Sequence, residues 1–537
     1  MMKKVILVCF TILSAAVAAH AKTAAPEATF SITDYGAVGD AKTLNTEAIQ
    51  RAIDACTRGG GGTVKVPPGE FVTGTILLKD GVTLQLEEGA TLLGSLNPAD
   101  YRNVDPFRDG LGAEVGYAMV AAVGARDVGI SGRGAINGRG KELAASMPFK
   151  GEGWGGRPFL VRFVRSRNVT LRDVRLLYAA AWTLNFFRCR DVTIERLKIV
   201  SFGVPHNDGI NVDSTQGLTV RDCDVESGDD ALVFKTTSSH PTRDVVVTGC
   251  RLKSNQGAIK FGTESVGDFE NFRISNCQIR DTRNGGIKLL SVDGARLRNV
   301  VISDITMDNV ATPIFVRLGA RLKSFREGEQ KKARPGSITG ILIRNVRARA
   351  AAKAQLTPPS GIFITGIPGH AVGTLTLENI EIELAGGGAR EHGRQVLEEK
   401  IDTYPEINRF GPRLPAYGVY ARHVRGLKIK GLRLRLAAPD LRPALVCHDC
   451  EDAQFTGWAL TADAGAESLV RLESARRVLL KGFDLAGDGG AFVRVEGRDS
   501  GRIRLEGKRP GVTKKDVELG DEVDRQAVEY SFGRGLS

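Results

Sequence analysis

A ten-residue phrase that returns along the chain restricts its fold more than any other feature of the sequence. RNVTLRDVRL begins at Arg167, RDVTIERLKI at Arg190, QGLTVRDCDV at Gln216, RDVVVTGCRL at Arg243, ENFRISNCQI at Glu270 and RNVVISDITM at Arg298. TGILIRNVRA at Thr339, RGLKIKGLRL at Arg425, EDAQFTGWAL at Glu451 and RRVLLKGFDL at Arg476 continue it. The first five steps are 23, 26, 27, 27 and 28 residues. Third, fifth, eighth and tenth positions are almost always apolar, as in Val169, Leu171, Val174 and Leu176. Alternation with period two specifies short strands, and the break between the fifth and eighth positions specifies a bend. One phrase cannot bury its own apolar face, so copies must stack, one coil per repeat. The expected architecture is all-β: a right-handed, single-stranded parallel β-helix. A leucine-rich horseshoe competes, but the β-branched residues and the lack of helical stretches between phrases disfavour it.

The same stacking puts Cys223, Cys250 and Cys277 at the eighth position of successive copies, where they act as small buried hydrophobes. Cys447 and Cys450 have no second pair to complete a zinc site, leaving a local disulfide or two thiols. Thr46 to Thr57 reads as an amphipathic helix that covers the open N-terminal end of the solenoid. The basic interval from Arg321 to Ser337 is a solvated loop by default, with a position over a groove as the alternative.

Residues 1–21, with MMKK, an apolar run and Ala19-His20-Ala21, read as a secretory leader. Its apolar run is too short for a membrane anchor, so an exported protein is expected, periplasmic or secreted. The β-helix is expected over residues 22–510, with its N-terminal cap at about 28–66 and a tail at 511–537. Without the leader the formal charge falls from +12 to +10. A basic exported chain with dispersed cations, few aromatics and no nucleic-acid motif suits a polyanionic glycan better than nucleic acid. A monomer is the expected state.

Aligning the segments after each phrase places Asp208-Gly209-Ile210-Asn211-Val212 over Asp230-Ala231-Leu232-Val233-Phe234. Gly257-Ala258-Ile259-Lys260-Phe261 and Gly285-Gly286-Ile287-Lys288-Leu289 follow. Coils lie roughly 4.8 Å apart, so Asp208 and Asp230 share a column with Asp229 just outside it. Lys260 and Lys288 share the adjoining outward column, and Lys235 projects nearby. Three carboxylates beside lysines admit glycoside hydrolysis, where one carboxyl donates a proton and another activates water. They also admit calcium binding or simple turn chemistry.

The chain resembles glycoside hydrolase family 28, the polygalacturonase family of pectin-degrading β-helix enzymes. The resemblance runs from FSITDYGAVGD through GGGGTVKVPPGEF to beyond residue 316 and is sharpest from Arg157 to Ser291. The family's N-T-D-G motif is similar to His206-Asn207-Asp208-Gly209, and its D-D pair to Asp229-Asp230. The resemblance implies an inverting hydrolase with Asp229 as general acid, Asp208 and Asp230 activating water, no metal and no cofactor. Inversion calls for an acid and base roughly 6.5–9.5 Å apart. It further implies substrate contacts from Asn207 and His206 and from Lys288, which binds a substrate carboxylate.

Two departures stand out. Gln256-Gly257-Ala258 replaces the family's G-H-G, and Gly286-Ile287-Lys288 replaces R-I-K, so an active-site histidine and an arginine are absent. Lys260 is the candidate to restore positive charge, and Gln256 and Glu264 are candidates for substrate contact. Arg157 and Trp182 match recurrent family positions, with structural roles by default and substrate contact as the alternative. The missing histidine is similar to the rhamnogalacturonan-cleaving branch, so the expected substrate is a galacturonic-acid-containing glycan, polygalacturonate or another pectic chain. A calcium-dependent pectate lyase and a noncatalytic pectin-binding β-helix are the competing readings.

Overall fold

The computed structural model describes residues 28–147, 154–352, 354–508, 511 and 513–532. The leader assigned to residues 1–21 lies outside them. The phrases form successive rungs of a parallel β-helix: Arg167–Arg172 pairs with Arg190–Glu195, and that strand with Gln216–Arg221, always in parallel. The stacking continues through Arg243, Glu270, Arg298 and Thr339 in the alignment expected from sequence. GTLTLENIEI, from Gly373, is a further copy, and it stacks between the phrases at Thr339 and Arg425.

The bend within each phrase has a specific cause. Its seventh residue is left-handed, with φ of 67° at Asp173, 54° at Asp222, 53° at Asn276 and 59° at Asp304. Asp and Asn tolerate that conformation better than other side-chain-bearing residues. They also bond along the stack: Asn345 Nδ2 donates to Asp304 Oδ1 at 2.8 Å and Asn379 Nδ2 to Asn345 Oδ1 at 3.0 Å.

Helix α1 (Thr46–Arg58) buries Ile49, Ala52, Ile53 and Cys56 against the first coils, covering the apolar end that stacking would leave open. Two excursions leave the coils near one face: a hairpin pairing Arg102–Arg108 antiparallel to Glu114–Val123, and a segment from about 385 to 418 with little regular structure. The latter rests on its own apolar cluster, which includes Phe363, Leu397, Ile407, Phe410 and Leu414.

At the other end, a tail from residue 511 does not hold. Thr513–Leu519 pairs with Gly489–Glu496 and Val528–Phe532 with Gly501–Gly507, both in parallel. A terminal coil covers a core on one side only, so its strands need less apolar sequence and escape a search for the phrase. Cys223, Cys250 and Cys277 are buried in the core as expected. Cys447 and Cys450 are buried unbonded thiols.

The strands beneath the acids are β1 (Leu184–Phe187), β2 (Ile210–Asp213), β3 (Leu232–Thr236), β4 (Gly257–Ser265) and β5 (Gly285–Ser291). Phe234 and Phe261 lie one above the other, with ring centroids 5.0 Å apart, and both contact Phe272 across the core. This layer fixes the height of the strands that carry Lys235 and Lys260. Phe261→Ala is expected to cost about 3–5 kcal/mol, seen as a lower urea midpoint by circular dichroism. An unchanged midpoint would show that the layer does not hold these coils together.

Candidate active site

Backbone bonding between coils builds the acid cluster. Thr183 N–H donates to the Asp208 carbonyl at 2.8 Å, Gly209 N–H to that of Asp230 at 2.9 Å, and Ala231 N–H to that of Gly257 at 2.9 Å. Ile210 pairs with Leu232, Leu232 with Ile259, and Ile259 with Ile287. Asp208 and Asp230 therefore stand one rung apart in one column, ahead of the inward-packed residues of β2 and β3. Asp229 is turned beside them, its carboxylate accepting the Asp230 N–H at 2.9 Å. Each of the three acids has an oxygen within 4.8 Å of the others. That is tighter than the separation expected for an inverting acid and base.

The cations are distributed unequally over this cluster. Lys260 Nζ lies 2.7 Å from Asp230 Oδ2, and the other Asp230 oxygen accepts Gly257 N–H at 2.9 Å. Lys235 lies 3.7 Å from Asp208 and 3.2 Å from Glu264, with its ammonium 4.0 Å from the Trp182 ring centroid. Among the described residues the one basic side chain in ion-pair range of Asp229 is His206, at 3.8 Å. The Asp229 side chain remains 22% exposed, against 4% for Asp208 and Asp230. His206 sits in a left-handed conformation and stacks on Trp154, centroids 5.1 Å apart.

These surroundings separate three chemically identical groups. Burial, and then the charge of Asp230, push the Asp229 carboxyl up to about 6. Burial and the charge of Asp229 push Asp208 well above the ordinary carboxyl range. Burial acts in the same direction on Asp230, but Lys260 and Lys288 outweigh it and hold this group below its ordinary value. Burial, Arg157 and Lys235 bring His206 down to about 4, so it is neutral near pH 6. Burial would raise Glu264, yet Lys235 and Arg321 hold it at about 2. The cluster thus has one member held below the ordinary carboxyl range, Asp230, and two neighbours pushed above it.

The acids open into a cleft of about 250 Å³. Of the residues expected to touch substrate, His206, Gln256, Lys260 and Glu264 line it. Asn207 does not: it is fully buried, and its amide lies under Gly228, where even a Cβ would come within 2.4 Å of it. Lys288 does not line the cleft either. It shares the outward column of Lys260 as expected, but it is fully buried and ion-paired with Glu406. The segment at 385–418 covers what a bare β-helix would leave open to solvent. Trp182 contributes to the lining, whereas Arg157 lies behind the site and donates to the Pro205 carbonyl at 3.0 Å.

Sequence reasoning missed Asp109, Gly110 and Leu111 from the hairpin, and Gln355, Tyr404, Glu406, Asn408 and Arg409 from later excursions. It also missed Asn284, beside β5. Excursions have no repeat register, and the one signal of the segment that carries Tyr404, Glu406, Asn408 and Arg409 is the long interval before the phrase at Arg425. The basic interval at 321–337 does not reach the lining but braces the wall behind it. Arg321 is buried in an ion pair with Asp293 at 2.6 Å and donates to the Gly110 carbonyl at 3.4 Å, while Gly110 N–H donates to Glu264 at 2.7 Å.

Comparison with known proteins agrees with this fold. Residues 56–394 match the family model described as Glycosyl hydrolases family 28. A probable polygalacturonase of Vitis vinifera is 27% identical over 382 residues, covering 63% of this chain and 77% of the relative. An exo-poly-alpha-D-galacturonosidase of Dickeya chrysanthemi is 32% identical over 258 residues, 40% of this chain and 42% of the relative. An exopolygalacturonase structure from Thermotoga maritima, 21% identical, shares the fold with a TM-score of 0.60 over 76% of this chain and 92% of its own. The family match spans more than half of the 537 residues and includes all three clustered aspartates; the chain belongs to glycosyl hydrolases family 28.

Proposed function

We propose that the protein hydrolyses glycosidic bonds in galacturonic-acid-containing, pectic polysaccharide, as an exported monomer acting outside the cytoplasm without a metal. Among the described residues no helix is long and apolar enough to cross a membrane. The observation that carries the reading is the split within the acid cluster: Asp230 is held ionised by Lys260 at 2.7 Å, while Asp229 has no cationic partner of that kind and faces the cleft.

In this reading Asp229 gives its proton to the glycosidic oxygen as the bond from that oxygen to the anomeric carbon breaks. Asp230 takes a proton from the water that attacks the opposite face of the sugar, and the anomeric configuration inverts. The acids are too close for water to sit on the line between them, so the nucleophile enters beside them, against Asp230. Asp208, whose carboxyl is pushed well above the ordinary range, acts as a hydrogen-bonding neighbour, which narrows the base role that the family resemblance implied for it. Asn207 acts from below by supporting the turn that holds Asp208. Glu264 and Lys235 form a fixed pair at the Trp182 end of the cleft.

Calcium fits the cluster poorly, because two of its three carboxylates already face lysine ammonium groups and a divalent cation would add to that buried positive charge. Incubation of the protein, purified from outside the cell, with separate homogalacturonan, rhamnogalacturonan and xylogalacturonan tests the reading. Saturated products heavier by one water per cleavage, anomerically inverted by NMR and unaffected by chelator, are expected from at least one chain. An unsaturated, chelator-sensitive product would point to a lyase, and binding without turnover to a noncatalytic β-helix.

A further inference from the structure

The C-terminal end of the cleft contains a charge that the family resemblance does not provide. Glu406 Oε2 pairs with the Lys288 ammonium and accepts from Asn284 Nδ2, and its other oxygen lies 3.6 Å from Lys260. The two lysines that would attract a substrate carboxylate here are therefore already matched, Lys288 by Glu406 and Lys260 by Asp230 and Glu406. Arg409 also lines the cleft but is exposed, whereas the buried side-chain atoms left without a partner beside the two lysines are acceptors. Asn284 is 2% exposed, its Nδ2 is committed to Gln256 Oε1 at 3.0 Å and to Glu406, and its Oδ1 has no donor. Gln355 Oε1, also buried at the lining, has none.

A uronate carboxylate brings only acceptors and a second negative charge to this place. A neutral sugar brings hydroxyl donors. Glu406 is also fixed rather than poised to swing away. Ile407 and Phe410, which follow it, are buried in the apolar cluster under the excursion, and the Phe410 ring meets that of Phe363 edge-on with centroids 5.0 Å apart. We propose that Glu406 makes the subsite on the Gln256–Asn284 side of Asp230 select a neutral sugar unit and reject a uronate. The assignment rests on the hydrolase reading above and narrows its substrate to a chain in which neutral sugars adjoin uronates.

The test compares kcat and KM on oligogalacturonate with those on rhamnogalacturonan-backbone oligosaccharides, in which rhamnose alternates with galacturonate. The wild type is expected to favour the mixed chain by at least about 100-fold in kcat/KM. Glu406→Gln should reduce that ratio to below about 10-fold, chiefly through a lower KM for oligogalacturonate. Because that change leaves Lys288 buried without its counter-charge, the double variant Glu406→Gln with Lys288→Met is measured beside it and should also narrow the ratio. Equal or better turnover of oligogalacturonate by the wild type, or an unchanged ratio in both variants, would overturn the role of Glu406 and leave the hydrolase reading standing. A wild type inert on both chains would overturn the hydrolase reading itself, and the assignment with it.

Discussion

Replacing Asp229 with Asn lowers kcat on the pectic substrate by at least about 10³-fold while leaving the far-ultraviolet spectrum unchanged. The amide keeps the shape of the carboxyl and its bond to the Asp230 N–H, but it cannot deliver a proton to a leaving oxygen. The same variant carries an independent thermodynamic signature. Asp229 is pushed from 3.8 to about 6 in the folded chain, so below about pH 4 it is protonated in both states and adds nothing to the pH dependence. As pH rises from 4 to 6 the unfolded chain releases this proton first, and folding becomes less favourable. Above 6 the penalty is complete at roughly 3 kcal/mol. Asp229→Asn is therefore expected to be more stable than wild type at pH 8 and about equal to it at pH 4, measured by urea unfolding. Full activity in the variant would move the proton to Asp208, the other carboxyl pushed upward.

The second large effect is in the pH profile of kcat/KM, which reports the free enzyme. Protonated Asp229 and ionised Asp230 must coexist. Activity should fall about tenfold per pH unit above about 6, as Asp229 loses its proton. The acid limb should lie below pH 4, because Lys260 and Lys288 keep Asp230 ionised against its burial. Lys260→Met removes the nearer ammonium, at 2.7 Å, and should move the acid limb upward by a unit or more. An alkaline limb near pH 8, or an acid limb that does not respond to Lys260→Met, would separate the observed activity from this pair.

The fold was legible in the chain because a β-helix repeats one local solution. The phrase carried strand alternation, the bend and the stacking register together, and the register alone placed Asp208 over Asp230 and Lys260 over Lys288. What stacking could not give was the environment on the outer face. Asn207 and Lys288 occupy their expected positions in the coils, yet turn packing buries the first and the 385–418 segment covers the second. Glu406 was invisible for the same reason: an irregular excursion has no period to align, and its contact with Lys288 joins residues 118 apart in sequence. Nor could stacking give the difference in electrostatics between Asp208 and Asp230. Their backbone positions match, but Asp230 contacts Lys260 at 2.7 Å, whereas the Lys235 ammonium lies 3.7 Å from Asp208 and closer to Glu264.

The central claim is that one carboxyl of this cluster holds its proton to about pH 6 while its sequence neighbour is already ionised. A pH titration of protein labelled with ¹³C at the aspartate carboxyl, compared with Asp229→Asn, tests it most directly. A resonance titrating near pH 6 that is lost in the variant is expected, with Asp230 titrating below the ordinary carboxyl range. Titration of Asp229 in the ordinary range near 3.8, with no resonance near 6 lost on substitution, would contradict it.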